Sequence, residues 1–254
     1  MNYKDFSLKI RKSILKYANL SQCSHIGSNL SAVDVLTVLY LTFIKRKKNS
    51  FILSKGHACL SLYCVLAELG YFSKKKLESF GKNNSLLMAH ASHKVPGINF
   101  STGSLGHGLP VATGIALANK LNKKNSKIFV LLSDGELNEG SNWESILFSN
   151  HHNLDNLVII IDYNKIQSLD TVKKTLTLEP LSKKFEAFGF KVLNVNGHNH
   201  NQILKALSSN YSKPLVIIAD TIKGKGVEFM ENSILWHYKP LDLENYKKAI
   251  KILK

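Results

Sequence analysis

Long apolar runs, paired cysteines and arginine are what this chain has least of, and each shortage excludes a class of protein. None of its apolar runs approaches the roughly 20 residues that a membrane-spanning helix needs. Three cysteines are an odd number without metal-ligand spacing, which argues against a disulfide framework and against a zinc site. The N-terminal sequence MNYKD is polar and lacks the features of a signal peptide. We therefore expect a soluble, cytoplasmic protein without membrane contact.

Acidic residues are also scarce, and the formal net charge of +16 raises the question of nucleic-acid binding. Only Arg11 and Arg46 among the 34 basic residues are arginines, whereas base readout and planar phosphate clamps favour the arginine fork. The lysines are dispersed, with small clusters at residues 45–48 and 74–76. We expect no specific nucleic-acid partner. Solvated lysine faces, a less basic partner subunit or acidic small substrates account for the charge better.

Apolar periodicity and turn signals divide the chain into alternating helices and strands. The spacing predicts helices at residues 5–20, 31–43, 58–69, 143–151 and 200–209. Residues 103–108 open a further helix rich in small residues, and a short lysine-rich helix follows residues 236–237. Apolar runs predict strands at residues 51–54, 191–196 and 214–220, and two more that end near residues 133 and 163. Residues 23–29 are turn-like and residues 73–100 irregular. This alternation predicts an α/β fold with a doubly wound, mostly parallel sheet flanked by helices, as one domain over residues 1–254.

Two oxygen-bearing side chains follow consecutive predicted strands. Asp134 follows the first in the run LLSDGELNEG, and Asn164 follows the second in the run IDYNKI. The strand–helix–strand crossover between them would bring both strand ends to the same edge of the sheet, where such sheets bind ligands. A carboxylate and an amide oxygen suit a hard divalent cation that takes its other ligands from water and substrate phosphates. The pair therefore predicts an anchor for a metal and a diphosphate.

Five motifs in this order resemble those of the N-terminal, diphosphate-binding domain of transketolase, a thiamine diphosphate enzyme. They are SHIG at residues 24–27, LSKGHA at 53–58, STGSLGHG at 101–108, the segment from Asp134 to Asn164, and KGKGV at 223–227 with Trp236-His237. Together they cover nearly the whole chain. The resemblance implies a thiamine diphosphate-binding fold and transfer of a two-carbon ketol unit from a ketose phosphate to an aldose phosphate.

The resemblance also implies which residues bind the cofactor and its metal. Side chains of Asp134 and Asn164 and the backbone carbonyl of Ile166 resemble the ligands of a divalent cation, either Mg²⁺ or Ca²⁺. Gly135 has no Cβ to keep the backbone away from the diphosphate. The cofactor-binding positions that the resemblance implies are His57, Gly103, Ser104, Leu105, Gly135, Glu139, Asn164 and His237. Among them, Glu139 resembles a glutamate at the family's subunit contact.

Four histidines resemble the catalytic histidines of the family. His57 and His237 match those near the diphosphate and the reaction centre, and His25 and His90 match those that hydrogen-bond the sugar. Each step of the reaction moves a proton to or from an oxygen, which imidazoles can do near pH 7. A small alignment shift would exchange His90 with His93, so that choice stays open. His107 is expected at the start of a helix, and surface or loop positions are expected for His151, His152, His198 and His200.

Two departures from the family pattern bear on function. Ser133 stands where the family usually has glycine before the aspartate. The chain ends at Lys254, where a complete transketolase continues into its pyrimidine-binding and C-terminal domains. Because the family's cofactor lies between two chains, this chain alone would form half a site. We therefore expect a C-terminal transketolase subunit, the pyrimidine-binding half, as a separate partner in a heterotetramer.

Other functions remain open on the same residues. Within the enzymes, a 2-oxo acid dehydrogenase α subunit, a deoxyxylulose phosphate synthase-like enzyme and a transketolase homologue of a specialised pathway use the same cofactor. The segments Asn138-Glu139-Gly140 and Trp236-His237 favour transketolase among them. A non-catalytic basic scaffold of this fold is the alternative outside enzymes, and the retained metal and histidine side chains argue against it.

Overall fold

The computed structural model describes residues 2–44 and 49–253, so the basic cluster at residues 45–48 lies outside the described residues. The strands within these ranges are β1 (Ser50–Leu53), β2 (Ile128–Ser133), β3 (Leu157–Tyr163), β4 (Lys191–Asn196) and β5 (Leu215–Asp220). The α-helices there are α1 (Tyr3–Ser21), α2 (Ile26–Ser31), α3 (Val33–Val38), α4 (Cys59–Glu68), α5 (Gly108–Leu121), α6 (Gly140–His151), α7 (Val172–Thr175), α8 (Leu181–Ala187), α9 (His200–Ser208), α10 (Leu235–Tyr238) and α11 (Leu243–Ile252). None of these helices is long and apolar enough to cross a bilayer.

The strands form one sheet in the order β1-β2-β3-β5-β4, and every pair of neighbours is parallel. Alternate residues of β2 and β3 face opposite sides because side chains alternate along a strand. Phe129, Leu131, Val158 and Ile160 pack on α1, α3 and α4, whereas Val130 and Ile159 belong to the second core, with α5, α6 and α8. The prediction of a doubly wound parallel α/β sheet is confirmed.

The parallel register fixes where the predicted anchor lies. Ser133 at the end of β2 is opposite Asp162 near the end of β3. Both chain segments therefore leave the sheet at the same edge, and Asp134 and Asn164 follow directly. The loops after β1 and β5 leave at this edge too, since all these strands point the same way.

The prediction of a turn across residues 23–29 is wrong in its second half, because α2 begins at Ile26. Gly27, Ser28 and Asn29 are weak helix formers, yet all of α2 is buried and tertiary bonds stabilise it. The Asn29 amide donates to the carbonyl of His25 at 2.8 Å, and its oxygen accepts the N–H of Ser61 at 2.8 Å. Short helices α7 and α8 were also not predicted.

Candidate active site

The carboxyl ends of the strands surround a pocket of about 250 Å³. Its walls come from the segments after β1, β2, β3 and β5, from the start of α2 and from the loops around residues 90 and 103. The lining residues are His25, Ser28, His57, His90, Gly103, Leu105, Ser133, Asp134, Gly135, Asn164, Ile166, Gln167, Ser168, Lys223 and His237. All four predicted histidines and all three predicted metal ligands lie in this one pocket.

Asp134 is fixed by backbone N–H groups from both strand ends. Its Oδ1 accepts from Gly135 at 2.7 Å and its Oδ2 accepts from Lys165 at 2.5 Å. Lys165 has a left-handed backbone with φ 66°, a strained conformation that turns its N–H back toward β2. At the next residue, the N–H of Ile166 donates to the amide oxygen of Asn164 at 3.2 Å. The carboxylate and the amide of the predicted anchor therefore lie on ordered loops that line the same pocket.

Burial raises the pKa of Asp134 to about 6, and the neighbouring carboxylate of Asp162 adds to the effect. The side chain is 1% exposed, so its negative charge is separated from water. A desolvated carboxylate of this kind binds a cation readily, because the cation replaces the lost hydration. The electrostatics of the pocket thus agree with the metal-binding chemistry expected of Asp134.

Two buried lysines lie close to the anchor, and neither was predicted from the sequence. The Lys223 ammonium donates to the carbonyls of Ile166 at 3.0 Å and Gln167 at 3.3 Å and lies 2.9 Å from Nδ1 of His237. Burial, with the charge of Lys55 nearby, lowers the pKa of Lys223 to about 8. Lys55 forms an ion pair with Asp162 beneath the pocket. Both lysines stand in motifs of the resemblance, and those motifs were the available signal.

The imidazole rings of the pocket form a cluster around His25. Ring centroids lie 4.9 Å from His25 to His237, 5.3 Å to His57 and 6.4 Å to His90. Burial, followed by nearby positive groups, lowers the pKa of His25 to about 4 and that of His237 to about 3. Burial also holds the pKa of His57 well below its ordinary range. These three imidazoles are therefore neutral at pH 7 and able to accept a proton or to donate a hydrogen bond.

The structure places His90 and His93, between which the sequence left the choice open, in different surroundings. His90 lines the pocket, and a Cβ placed on Gly103 would lie 3.6 Å from its ring. His93 is exposed, lies outside the pocket lining and hydrogen-bonds Ser101, with Nδ1 2.7 Å from the hydroxyl. The position of the rings favours His90.

Two predicted cofactor positions lie outside the pocket lining. Ser104 and Glu139 are exposed, while their neighbours Gly103, Leu105 and Gly135 line the pocket. Glu139 packs against Gly106, where an added Cβ would lie only 2.7 Å from the Cβ of Glu139. The positive φ of 81° at Gly106 separately favours glycine. An exposed glutamate at this position is compatible with the expected subunit contact.

Glu136, which the sequence analysis missed, joins three segments of the pocket wall. Its buried carboxylate accepts from the hydroxyl of Ser54 at 2.5 Å and from the N–H groups of Gly106 at 3.0 Å and Ser133 at 3.3 Å. Ser133, which stands where the resemblance implies glycine, is buried, and its N–H takes part in this bonding. A single glutamate in an Asp-Gly-Glu turn carried no sequence signal for this role.

Four of the histidines outside the pocket form two sequence pairs. His151 and His152 are exposed at the end of α6, as predicted. His198 lies in a loop, as predicted, whereas His200 is the first residue of α9 and not a loop residue. Each is largely buried and hydrogen-bonds the carboxylate of Asp34, at 2.7 Å and 2.9 Å. Buried Asp34 lies far away in sequence, so this pairing could not be predicted locally.

The donor set suits a divalent cation together with an anion. Asp134, Asn164 and the Ile166 carbonyl offer hard oxygen ligands, and Lys223 offers positive charge beside them. The amide Nε2 of Gln167 is buried in the pocket wall and has no partner in the described part of the chain, which leaves a donor for an anionic ligand. Within that same part, no group of three His, Cys, Asp or Glu side chains forms a metal cluster. A cation here would therefore need the amide and carbonyl oxygens and a ligand's own oxygens.

Fold and pocket together define a parallel α/β protein with a polar, histidine-rich pocket at the carboxyl edge of its sheet. Residues 8–253 match the family model described as "Transketolase, thiamine diphosphate binding domain". The chain belongs to the transketolase family, and it matches that family's thiamine diphosphate-binding domain.

Similar proteins include both short subunits and long chains. The chain is 41% identical to an apulose-4-phosphate transketolase subunit of Actinobacillus succinogenes, over 96% of this chain and 92% of that protein. It is 35% identical to the 6-deoxy-6-sulfo-D-fructose transketolase subunit SqwG of Clostridium sp., over 95% and 92%. The crystal structure of transketolase from Campylobacter jejuni superposes with a TM-score of 0.90 at 31% identity, covering 100% of this chain and 43% of that one. The chain thus spans under half of that longer transketolase.

Proposed function

We propose that this chain is the thiamine diphosphate-binding subunit of a split transketolase, which transfers a two-carbon ketol unit from a ketose phosphate to an aldose phosphate. One observation carries the proposal: Asp134, Asn164 and Ile166 meet four histidines and Lys223 in a single pocket. The similarity in length to proteins that are themselves named as transketolase subunits supports a split enzyme. The pyrimidine-binding and C-terminal domains would then lie on a separate partner chain.

The metal and diphosphate would bind at the carboxyl ends of β2 and β3. Asp134, Asn164 and the Ile166 carbonyl would hold Mg²⁺ or Ca²⁺, whose charge the diphosphate shares. Lys223 and the free amide of Gln167 would hold the phosphate oxygens, because both are buried donors on this wall. Gly103 and Leu105 would contact the rings of the cofactor, with Ser104 and Glu139 at the rim toward the partner.

When bound, thiamine diphosphate supplies the electron sink that allows the bond between C2 and C3 of a ketose to break. The chain's own contribution is proton movement and orientation. His25 and His90 would hydrogen-bond the sugar's carbonyl and hydroxyl oxygens, and His57 and His237 would lie nearer the diphosphate and the reacting carbon. Neutral imidazoles suit this work, since each can accept a proton from a hydroxyl and return it to an oxygen.

Assembly with a partner completes the site in this proposal. We expect a symmetric heterotetramer of two copies of each chain. Exposed Leu147 and Phe148 on α6 and exposed Glu139 before it offer apolar and acidic groups for such a contact. The two short relatives are named for ketoses with an anionic group, a phosphate or a sulfonate. Donors of that class are the first to test.

The decisive experiment compares the chain alone with the chain plus its pyrimidine-binding partner. With thiamine diphosphate, Mg²⁺ and a ketose phosphate, the complex is expected to release an aldose two carbons shorter and to lengthen an acceptor aldose by two carbons. The isolated chain is expected to show no turnover. Turnover by the isolated chain would refute the half-site arrangement. Decarboxylation of pyruvate without ketose cleavage would move the assignment to another thiamine diphosphate enzyme.

Substitution of the two neighbouring histidines separates their roles. His90→Asn is expected to lower kcat/KM for the ketose about 100-fold in the assembled enzyme, because a proton-transfer group at the sugar is lost. His93→Asn is the matched control and should stay within about twofold, since His93 lies outside the pocket lining. Steady-state kinetics of both variants, with thiamine diphosphate affinity measured in parallel, check the prediction. Equal losses in the two variants would contradict it.

A further inference from the structure

Asp34 on α3 collects hydrogen bonds from three side chains in the interior, well outside the pocket lining. Arg11 donates through Nη1 at 3.1 Å and Nη2 at 2.6 Å, and the rings of His198 and His200 approach at 2.7 Å and 2.9 Å. Burial alone would raise the pKa of Asp34, but the hydrogen bonds from both histidines and the charge of Arg11 hold it well below its usual range. Asp34 is therefore a fixed negative charge that orients its partners.

His198 connects Asp34 to the loop after β5 by a hydrogen bond. Its Nε2 accepts the backbone N–H of Ile222 at 2.8 Å. Because a backbone N–H can only donate, Nε2 carries no proton, and the proton is on Nδ1, which faces Asp34. The carboxylate thus fixes both the tautomer and the direction of the ring.

Arg11 connects the same carboxylate to this loop at Lys225. The Nε of Arg11 donates to the carbonyl of Lys225 at 3.1 Å while its terminal nitrogens bind Asp34. Between these two positions of the loop, the N–H of Gly224 donates to the carbonyl of Gly27 at 3.0 Å. The loop is consequently held on either side of Lys223.

Lys223 is the side chain of this loop that reaches the anchor carbonyls. Its stem lies so close to α2 that a Cβ added to Gly27 would come within 2.9 Å of its Cγ. Its ammonium donates to Ile166 and Gln167 in the pocket. The side chain is long and flexible, so the position of the ammonium depends on where the backbone of the loop is held.

We propose that Asp34 and His198 are positioning residues for the diphosphate site, which hold the loop at Ile222 so that the Lys223 ammonium stays beside Ile166. Neither residue lines the pocket. Arg11 supports the same loop from the side of Lys225. The part concerning cofactor affinity rests on the function proposed above, whereas the part concerning the position of Lys223 does not.

The first test needs no cofactor. Reductive methylation of the purified chain, followed by peptide mass spectrometry, reports how accessible Lys223 is. In the unaltered chain Lys223 is 1% exposed and should react slowly. His198→Phe should speed its modification about fivefold or more, since loss of a hydrogen bond frees the loop. His200→Phe is the matched control, because it also removes one bond to Asp34 but none to residues 222–225. Equal protection of Lys223 in the chain and in His198→Phe would overturn the proposal.

The second test measures thiamine diphosphate affinity with Mg²⁺ in the complex with the partner chain. His198→Phe should weaken binding about fivefold to tenfold. The same substitution in a Lys223→Met background should cause no further loss, because an effect that acts through Lys223 disappears with it. His198→Gln, whose side-chain oxygen can still accept from Ile222, should recover part of the affinity. Additive losses in the two backgrounds would mean that His198 acts only on general stability, against the proposal.

Failure of the proposed function and failure of the positioning role give different results. If the unaltered complex does not bind thiamine diphosphate, the proposed function fails, and the methylation result still decides whether His198 positions Lys223. If the complex binds the cofactor and His198→Phe binds it equally well, the proposed function stands and a role of His198 in cofactor binding is excluded.

Discussion

Asp134→Asn is expected to weaken Mg²⁺-dependent binding of thiamine diphosphate by about 100-fold or more, while the cofactor-free chain becomes more stable. The first effect follows because the only carboxylate among the proposed ligands is lost, and a neutral amide attracts a dication far less. Calorimetric titration with Mg²⁺ and thiamine diphosphate measures it. Asp155→Asn, an exposed carboxylate at the opposite edge of the sheet, is the control. Unchanged affinity in Asp134→Asn would remove the metal anchor.

The gain in stability follows from the sign of the pKa shift at Asp134. The folded-state value of about 6 lies above the ordinary value of 3.8, so the ionised carboxylate disfavours the folded chain at neutral pH. The destabilisation amounts to roughly 3 kcal/mol above pH 6, and it disappears as the pH falls below about 4. The amide oxygen of asparagine can accept only one of the two backbone N–H groups that bind Asp134. The lost hydrogen bond offsets about 1–2 kcal/mol of the gain in stability. The melting temperature of the variant should therefore rise by a few degrees at pH 7.5, and the gain should shrink on acidification.

Lys55→Met is expected to lower the free energy of unfolding by about 3–5 kcal/mol. Lys55 and Asp162 form an ion pair in which both side chains are 0% exposed. The carboxylate also accepts from the hydroxyls of Ser31 and Thr221. Removal of the lysine leaves a buried negative charge without its counter-ion, and such breaks are among the most destabilising single changes. Urea unfolding at pH 7 measures the loss.

The contribution of the Lys55–Asp162 pair to folding stability changes with pH in the opposite direction to that of Asp134. Burial would raise the pKa of Asp162, but the charge and hydrogen bond of Lys55 hold it below its ordinary value. The pair therefore stabilises the folded chain above the ordinary pKa of aspartate, and this contribution is lost as the pH falls. The difference between the chain and Lys55→Met should narrow in acid. Lys55→Met combined with Asp162→Asn should be less destabilised than the sum of the single changes. A loss below about 1 kcal/mol in Lys55→Met would show that the pair is not needed for the fold.

The parallel sheet and the shared position of the two candidate metal ligands could be predicted because their signals are local. β2 and β3 are short apolar runs with clear boundaries, and Asp134 and Asn164 follow them. Once the strands are parallel, the position of both residues at one edge follows from geometry. The histidines of the pocket are spread from His25 to His237, and motif resemblance rather than local pattern brought them together.

What could not be predicted depends on contacts between distant segments. The ion pair of Lys55 with Asp162 and the bonds of Lys223 to Ile166 join residues from different loops. Helix α2 forms although its glycine, serine and asparagine favour a turn, because burial and the bonds of Asn29 outweigh local propensity. Asp34 likewise draws His198 inward from the other end of the chain.

The three-way bond of Glu136 has a consequence for how the pocket meets its ligand. Ser54, Gly106 and Ser133 come from three separate stretches of backbone, yet one carboxylate ties them to a common point. Because one carboxylate binds all three, we expect these stretches to be ordered before a ligand binds. A site preorganised in this way loses little conformational entropy on binding, and more of its contact energy appears as affinity.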